Sequence, residues 1–387
     1  MTGRERIEAA FSPRGTPEVP AVICYEGLMI RDHWDELTDC PWWYLWEPDI
    51  ERQLAWRRDM YGRLAVDWMG LGLGHSPEDR RNIRIEPRPD GAYTVDRRTG
   101  QQTRMDRPEV GGSAAHYAAW LSAPPPNPQS KDHIDKALSG PTGPTPDQVV
   151  AEGRADMPRA VIQAFPHLFP ITALASPIWR CWNLWGFEGF MTMVALRPEL
   201  VAHACDRYAD RSRREIELAA AIGARGIWIE ECWSDMIGPA ALENVAAPSL
   251  RKVCDCIRRA GLASIYYYCG DPTDRWETLF GVGADAVSLE EGKKHFAIEI
   301  EEVVRRGAGR AAVLGNVDAI HFLPTADESQ LRRELARQIA AGRKNGGRFI
   351  MSLGSPVTPA TTLAQMRRYC DLTHELGGAK GDHRRSN

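Results

Sequence analysis

The chain has 387 residues, 43% hydrophobic and 26% charged, with 48 Lys and Arg against 52 Asp and Glu and a formal charge of −4. This ordinary globular usage excludes a disordered chain, a collagen-like chain and a small disulfide scaffold, and it argues against a nucleic-acid binder that relies on bulk positive charge. The length allows one large domain or two average ones, with a sizeable buried core.

In chain order, residues 19–24 read as a first strand. Five tryptophans then fall close together: Trp34, Trp42, Trp43, Trp46 and Trp56. At about 83–107 short alternating runs separated by Asp90-Gly91 and Thr99-Gly100 predict a small antiparallel hairpin insertion. A Pro-rich excursion follows at about 123–146. The apolar run at 160–165 predicts a further strand, and Trp179, Trp182 and Trp185 are spaced as one helical face. A helix at 198–222 opens on Pro198 and closes on Gly223. From there strands at 227–231, 264–269, 286–291, 311–316 and 348–353 alternate with helices at 249–260, 298–306, 331–341 and 361–376. The third of those helices follows Thr325-Ala-Asp-Glu328, which reads as a capping box. The tail 379–387 reads as disordered, leaving 1–378 as a single domain.

No stretch approaches the roughly 18 apolar residues of a membrane span. The start carries charges without an apolar leader core, and nine cysteines at irregular spacing suit a reduced, cytoplasmic protein. Alternating strands and helices indicate βα units around a parallel sheet, and seven or eight such units favour a (β/α)8 barrel of the TIM type with an N-terminal helical extension.

In such a barrel, reactive groups sit where strands end. That rule selects Tyr25 and Glu26 after the first strand; Glu230, Glu231, Cys232 and Asp235; Tyr267, Tyr268, Cys269 and Asp271; Glu290 and Glu291; Asn316 and Asp318; and Ser352, Gly354 and Ser355. Because side chains alternate along a strand, one Glu of each pair is expected to face the axis. Converging carboxylates suit proton transfer, metal binding or recognition of a cation; the bland alternative is that they mark the solvent boundary. Cys269-Gly270 would let a ligand approach the backbone, or Cys269 is a buried free thiol. Cys254 and Cys256, two apart on a helix, do not share a face and make a poor metal pair. Trp42, Trp43 and Trp46 are either an aromatic wall for a ligand or a packing cluster.

These motifs together resemble the uroporphyrinogen decarboxylase superfamily, and more closely its corrinoid-linked methyltransferase branch. The resemblance rests on Arg4-Glu-Arg-Ile-Glu-Ala-Ala-Phe11, Tyr61-Gly-Arg-Leu-Ala-Val-Asp67, Trp185-Gly-Phe-Glu-Gly-Phe190, Gly223-Ala-Arg-Gly-Ile227, Tyr267-Tyr-Cys-Gly270, Gly315-Asn-Val-Asp318 and Gly346-Gly-Arg-Phe-Ile-Met-Ser-Leu-Gly-Ser355, in family order. It implies a (β/α)8 barrel. In the zinc methyltransferases of the family, the His and Cys of an H-x-C motif and a late Cys bind zinc. Here Tyr267 holds the His position and Ser355 the late Cys position, which leaves Cys269, with Glu231, as the metal ligands to be considered. The Arg-rich N-terminal segment with which the decarboxylases grip an acidic tetrapyrrole is absent, and the strand-end carboxylates would repel such a substrate.

Three functions follow as expectations. The first is a methyltransferase or demethylase acting on a small methylated substrate, a cationic amine or a methoxy-aromatic, with Glu230, Glu231, Tyr267, Cys269, Glu290 and Asn316 in the chemistry. Tyr25, Glu26, Trp42, Trp43, Trp46, Asp235, Asp318 and Ser355 would line the substrate site. The methyl acceptor would be a thiol or a corrinoid carried by a separate protein, since the chain lacks a D-x-H-x-x-G segment; the superfamily often forms homodimers. The second is a metal-independent lyase or decarboxylase. The third is a non-catalytic small-molecule binding protein.

Overall fold

The computed structural model describes residues 1–111, 125–232, 234–292 and 296–378. The expected disorder of 379–387 and the first two residues of the Pro-rich excursion lie outside the described residues.

Short apolar runs pair side by side into one parallel sheet of seven strands: β1 (Trp68–Gly70), β5 (Phe169–Ala175), β6 (Gly226–Glu231), β7 (Ala263–Tyr268), β8 (Ala286–Leu289), β9 (Ala312–Leu314) and β10 (Phe349–Ile350), in that spatial order. β6 to β10 are almost wholly buried, as expected of strands covered on both faces. Residues 19–24 supply the eighth position and close the ring. On one side Val22 N donates to Met351 O and Met351 N to Pro20 O, both at 2.9 Å; on the other Asp67 N donates to Ala21 O at 2.9 Å. The closed sheet with helices outside it is the (β/α)8 arrangement.

The hairpin insertion is a separate antiparallel sheet of β2 (Ile83–Arg88), β3 (Gly91–Asp96) and β4 (Gln102–Met105). Its first turn is centred on Pro89 and Asp90, since Arg88 pairs with Gly91. Among the described residues, no helix is long and apolar enough to cross a membrane.

Two expectations fail for physical reasons. Residues 160–165 are not a strand: they fall mostly in the helix Asp156–Ala164, which buries Pro158 and Val161 on one side. The strand there is β5, whose Pro170 argues against a central strand in the sequence. In the barrel Pro170 needs only its carbonyl, which accepts from Arg225 N at 2.8 Å. The helix Glu328–Arg343 starts at a different cap: Asp327 accepts from Gln330 N, and the Gln330 side chain accepts from Asp327 N. Thr325 instead turns its hydroxyl back to His321 O.

Candidate active site at the barrel mouth

The inner wall of the barrel is aromatic. Trp228 of β6 stacks on Tyr267 of β7 with centroids 5.0 Å apart, and its ring also meets the edges of Trp68 and Tyr25 at 5.8 and 6.1 Å. Tyr25 reaches Tyr267 at 5.5 Å. These residues come from four positions around the ring, so their rings can meet only through the interior. The Tyr267 hydroxyl crosses the barrel to donate to Gly354 O at 2.9 Å.

Strand alternation now sorts the carboxylates. Trp228 and Glu230 share the inward face of β6, and Glu230 accepts from the Tyr25 hydroxyl. Burial raises the Glu230 carboxyl above the ordinary Glu value, with the Tyr25 bond opposing it. Glu231 points the other way. It is fully buried on the helix side, where Oε1 accepts from Tyr266 Oη at 2.7 Å and Ser234 Oγ at 2.8 Å. The structure thus removes Glu231 from the axis and from any shared site with Cys269. The same alternation brings Glu290 inward to Cys269, while Glu291 lines a separate cavity of about 280 Å³ with Ile298, Asn316 and Asp318.

Glu26 follows Tyr25, which adopts a left-handed backbone (φ 56°, ψ 45°) and so turns the chain sharply into the helix Glu26–Leu37. Its carboxylate receives Tyr61 Oη at 3.2 Å and Gly70 N at 3.2 Å. A Cβ on Gly70 would sit 3.0 Å from Glu26 Oε1, so the missing side chain makes room for this approach. Burial raises the Glu26 carboxyl, opposed by the Gly70 bond and the nearby Arg57 charge.

Cys269 and Cys232 sit side by side above Tyr267 and Glu230. Cys269 is hydrogen-bonded to Cys232 and to Glu290, and it stays protonated well above the ordinary thiol range because of the Cys232 bond and burial. Cys232 in turn points at Glu230 Oε1, 4.0 Å away. The sequence names Cys232 only as a strand-end neighbour; the signal for it is its spacing two residues after the inward Glu230.

Other expected members are engaged elsewhere. Asn316 donates its amide to Glu290 O at 3.2 Å and Ile298 O at 2.9 Å, so it ties the β8 loop to β9. Asp318 caps a turn by accepting from Ile320 N and His321 N, both at 2.8 Å. Asp235 lies against Gly270 (φ 136°), where a Cβ would come within 2.4 Å of it, so Gly270 makes room for the Asp235 side chain. Ser355 is buried, and its carbonyl accepts from Cys24 Sγ at 3.3 Å. Trp42, Trp43 and Trp46 form edge-on contacts among themselves in a 3-10 turn (Trp42–Trp46), with ring centroids 5.8 Å apart. Trp34 belongs to the core against Trp56.

The family zinc set does not fit these residues. Tyr267 commits its hydroxyl to Gly354 and its ring to Trp228, Ser355 offers no thiol, and Glu231 faces away. Among the described residues no group of three or more His, Cys, Asp and Glu is placed to hold a metal ion.

Comparison with known proteins accords with this frame. The family profile for uroporphyrinogen decarboxylase (URO-D) matches residues 164–376, more than half of the chain. A uroporphyrinogen decarboxylase from Anaeromyxobacter sp. (strain Fw109-5) is 30% identical over 189 residues, covering 49% of this chain and 52% of that protein. One from Anaeromyxobacter dehalogenans is 28% identical, covering 50% and 53%. The chain therefore spans about half the length of the curated relatives it matches. A solved methyltransferase from Methanosarcina mazei superposes with a TM-score of 0.62 at 15% identity, covering 97% of this chain and 99% of that one, which is a likeness of fold. With the profile spanning β5 to the last helix, the chain belongs to the uroporphyrinogen decarboxylase (URO-D) family.

Proposed function

We propose that the protein is a methyltransferase that takes a methyl group from a small cationic, methylated substrate and passes it to a thiol or to a corrinoid carried by another protein. The observation that carries this reading is the combination of Tyr25, Trp228 and Tyr267 with the inward carboxylate of Glu230. Aromatic faces attract a methylated ammonium through their quadrupoles, and a carboxylate beside them completes the charge. Glu230 binds the cation, Tyr25 orients Glu230, and Tyr267 forms the floor. The solved Methanosarcina methyltransferase shares the fold, which is compatible with the reading and does not by itself carry it. An acidic, aromatic mouth suits a polycarboxylate tetrapyrrole poorly, although the curated relatives are decarboxylases.

The test is a panel of methylated amines and methoxyarenes, each offered with reduced cobalamin or with a small thiol as acceptor. Formation of methylcobalamin or a methyl thioether from a methylated amine, lost in Glu230→Gln, supports the proposal. Binding without methyl transfer to any acceptor refutes it.

A second reading, a metal-independent lyase, is favoured by one observation: burial raises Glu230 above the ordinary Glu value, which moves a carboxyl in the mouth toward the range useful for acid–base chemistry. Carbon dioxide release from a small carboxylated substrate, with no methyl transfer, would select it.

A further inference from the structure

Four of the nine cysteines form two close thiol pairs of opposite character. Cys181 and Cys205 have sulfurs 3.5 Å apart, and both are fully buried between helices. Cys232 and Cys269 are both half-buried at the open end of the barrel. Their backbones are in register: Glu230 pairs with Tyr267 and Glu231 with Tyr268, so Cys232 and Cys269 are the next pair in the same ladder. Cys269 N still donates to Glu231 O at 3.0 Å, which extends the ladder to that level. Neighbouring strands lie about 4.7–4.9 Å apart, and a disulfide needs a Cα separation of about 4.4–6.8 Å. The two side chains lie on the same, inward face and touch through a thiol hydrogen bond.

We propose that Cys232 and Cys269 are a modification site, a dithiol that closes to a reversible disulfide across the mouth of the barrel. The co-reactant is a low-molecular-weight disulfide. Cys232 turns its S–H toward Glu230 Oε1, 4.0 Å away, which gives its proton an acceptor, so Cys232 attacks first as the thiolate. Cys232 attacks one sulfur of the reagent, its S–S bond breaks, and one small thiol leaves with a proton, giving a mixed disulfide at Cys232. Cys269 then attacks the Cys232 sulfur, its proton goes to the second small thiol, and the Cys232–Cys269 bond forms. Two electrons pass from the protein to the reagent, and excess dithiol reverses both steps.

Closure takes the Cys269 S–H away from Glu290 and the Cys232 thiol away from Glu230, and it locks β6 to β7 above the aromatic floor. Oxidation therefore removes two polar groups from the mouth at once. The inference is independent of which reaction the mouth performs, because its test reads a covalent bond.

The full chain is incubated with oxidised glutathione, free thiols are alkylated under denaturing conditions, and peptides are mapped by mass. The expected result is a linked pair containing Cys232 and Cys269, lighter by two hydrogens than the free peptides and restored by dithiothreitol. Cys181 and Cys205 stay alkylatable and serve as the buried control. Cys232→Ser and Cys269→Ser each abolish the link, and the Cys269→Ser protein retains a glutathione on Cys232. Recovery of both thiols free in the unaltered chain, or of a mixed disulfide that never resolves into the link, overturns the proposal, and neither result depends on how well the serine variants fold.

Discussion

Asp67, just before β1, is the point where the barrel closes, and removing its carboxylate tests that closure. The side chain is 4% exposed and accepts three hydrogen bonds: from Ala21 N at 2.7 Å, from Arg6 Nη1 at 3.0 Å and from His374 Nε2 at 2.8 Å. It thereby ties the first helix, the closing segment 19–24 and the last helix together. In Asp67→Ala, Arg6 keeps its bond to Glu18 and His374 is 25% exposed, so both partners rehydrate in part. Ala21 N–H is fully buried and cannot. An orphaned buried donor costs about 1–3 kcal/mol, and a hydrogen bond to a charged group is worth about 1.5–3 kcal/mol. The sum predicts a loss of roughly 2.5–6 kcal/mol for Asp67→Ala. Asp67→Asn keeps one acceptor oxygen for Ala21 N and loses about 1–3 kcal/mol. Urea unfolding of the full chain, followed by tryptophan fluorescence and circular dichroism, measures both. A loss under about 1 kcal/mol for the alanine variant, or equal losses for both variants, refutes the account of Asp67 as the clamp.

Three further outcomes follow from the site. Burial holds the Glu231 carboxyl above its ordinary value, so the folded protein binds that proton more tightly than the unfolded chain does. The stabilising contribution is complete below the unfolded pKa and is lost as pH rises through the folded one. Glu231→Gln keeps an acceptor for Tyr266 and should therefore gain stability relative to the unaltered chain at about pH 8 compared with about pH 4, and urea curves showing the same gap at both would contradict this. Trp228→Ala, which removes the ring that joins Trp68, Tyr25 and Tyr267, should weaken binding of a tetramethylammonium probe at least tenfold by calorimetry, whereas Trp46→Ala should leave it unchanged; equal effects would relocate the aromatic site. Elemental analysis of the purified protein should find well under one equivalent of zinc, and stoichiometric zinc lost on Cys269→Ser would overturn the mismatch of the donor set.

The barrel was readable because each strand from β6 onward is a short apolar run between a glycine-ended helix and a polar strand end. That one Glu of each pair faces inward follows from period-two alternation; that it is Glu230 and Glu290 is given by the partners of Glu231 and Cys269. Less was readable where the chain departs from local rules. Pro170 disguises β5, and the amphipathic helix Asp156–Ala164 presents a β-branched run that mimics a strand. The engagements of Asn316 and Asp318 depend on loop carbonyls and turn amides that no spacing announces. The tryptophans 42, 43 and 46 attract notice by count, yet the rings that make the barrel wall are Trp68 and Trp228, single residues inside strands. Cys232 gains its meaning only from register, because its neighbour Cys269 lies on a different strand.

The exchange of one residue type explains why the acid groups and thiols at this mouth need a different account from a three-ligand metal site. A histidine at position 267 would offer a ring nitrogen to the interior beside Cys269. A tyrosine there carries its one polar atom further from the backbone, and that atom is already bonded to Gly354 O on the opposite side of the barrel. What it leaves beside Cys269 is the carbon of a ring stacked on Trp228. Position 267 thus presents a wall rather than a donor, and the same wall is edged by Tyr25, whose hydroxyl holds Glu230. With Glu231 turned outward, the polar groups near that wall among the described residues include Glu230, Glu290, Cys232 and Cys269. On the proposed reading, this set would meet an organic cation through ring faces and charge, with the thiols of Cys232 and Cys269 beside it. Introducing histidine in Tyr267→His would break the Gly354 bond and remove the ring stacked on Trp228, so metal affinity gained there should come with loss of the aromatic wall and of any tetramethylammonium binding it supports.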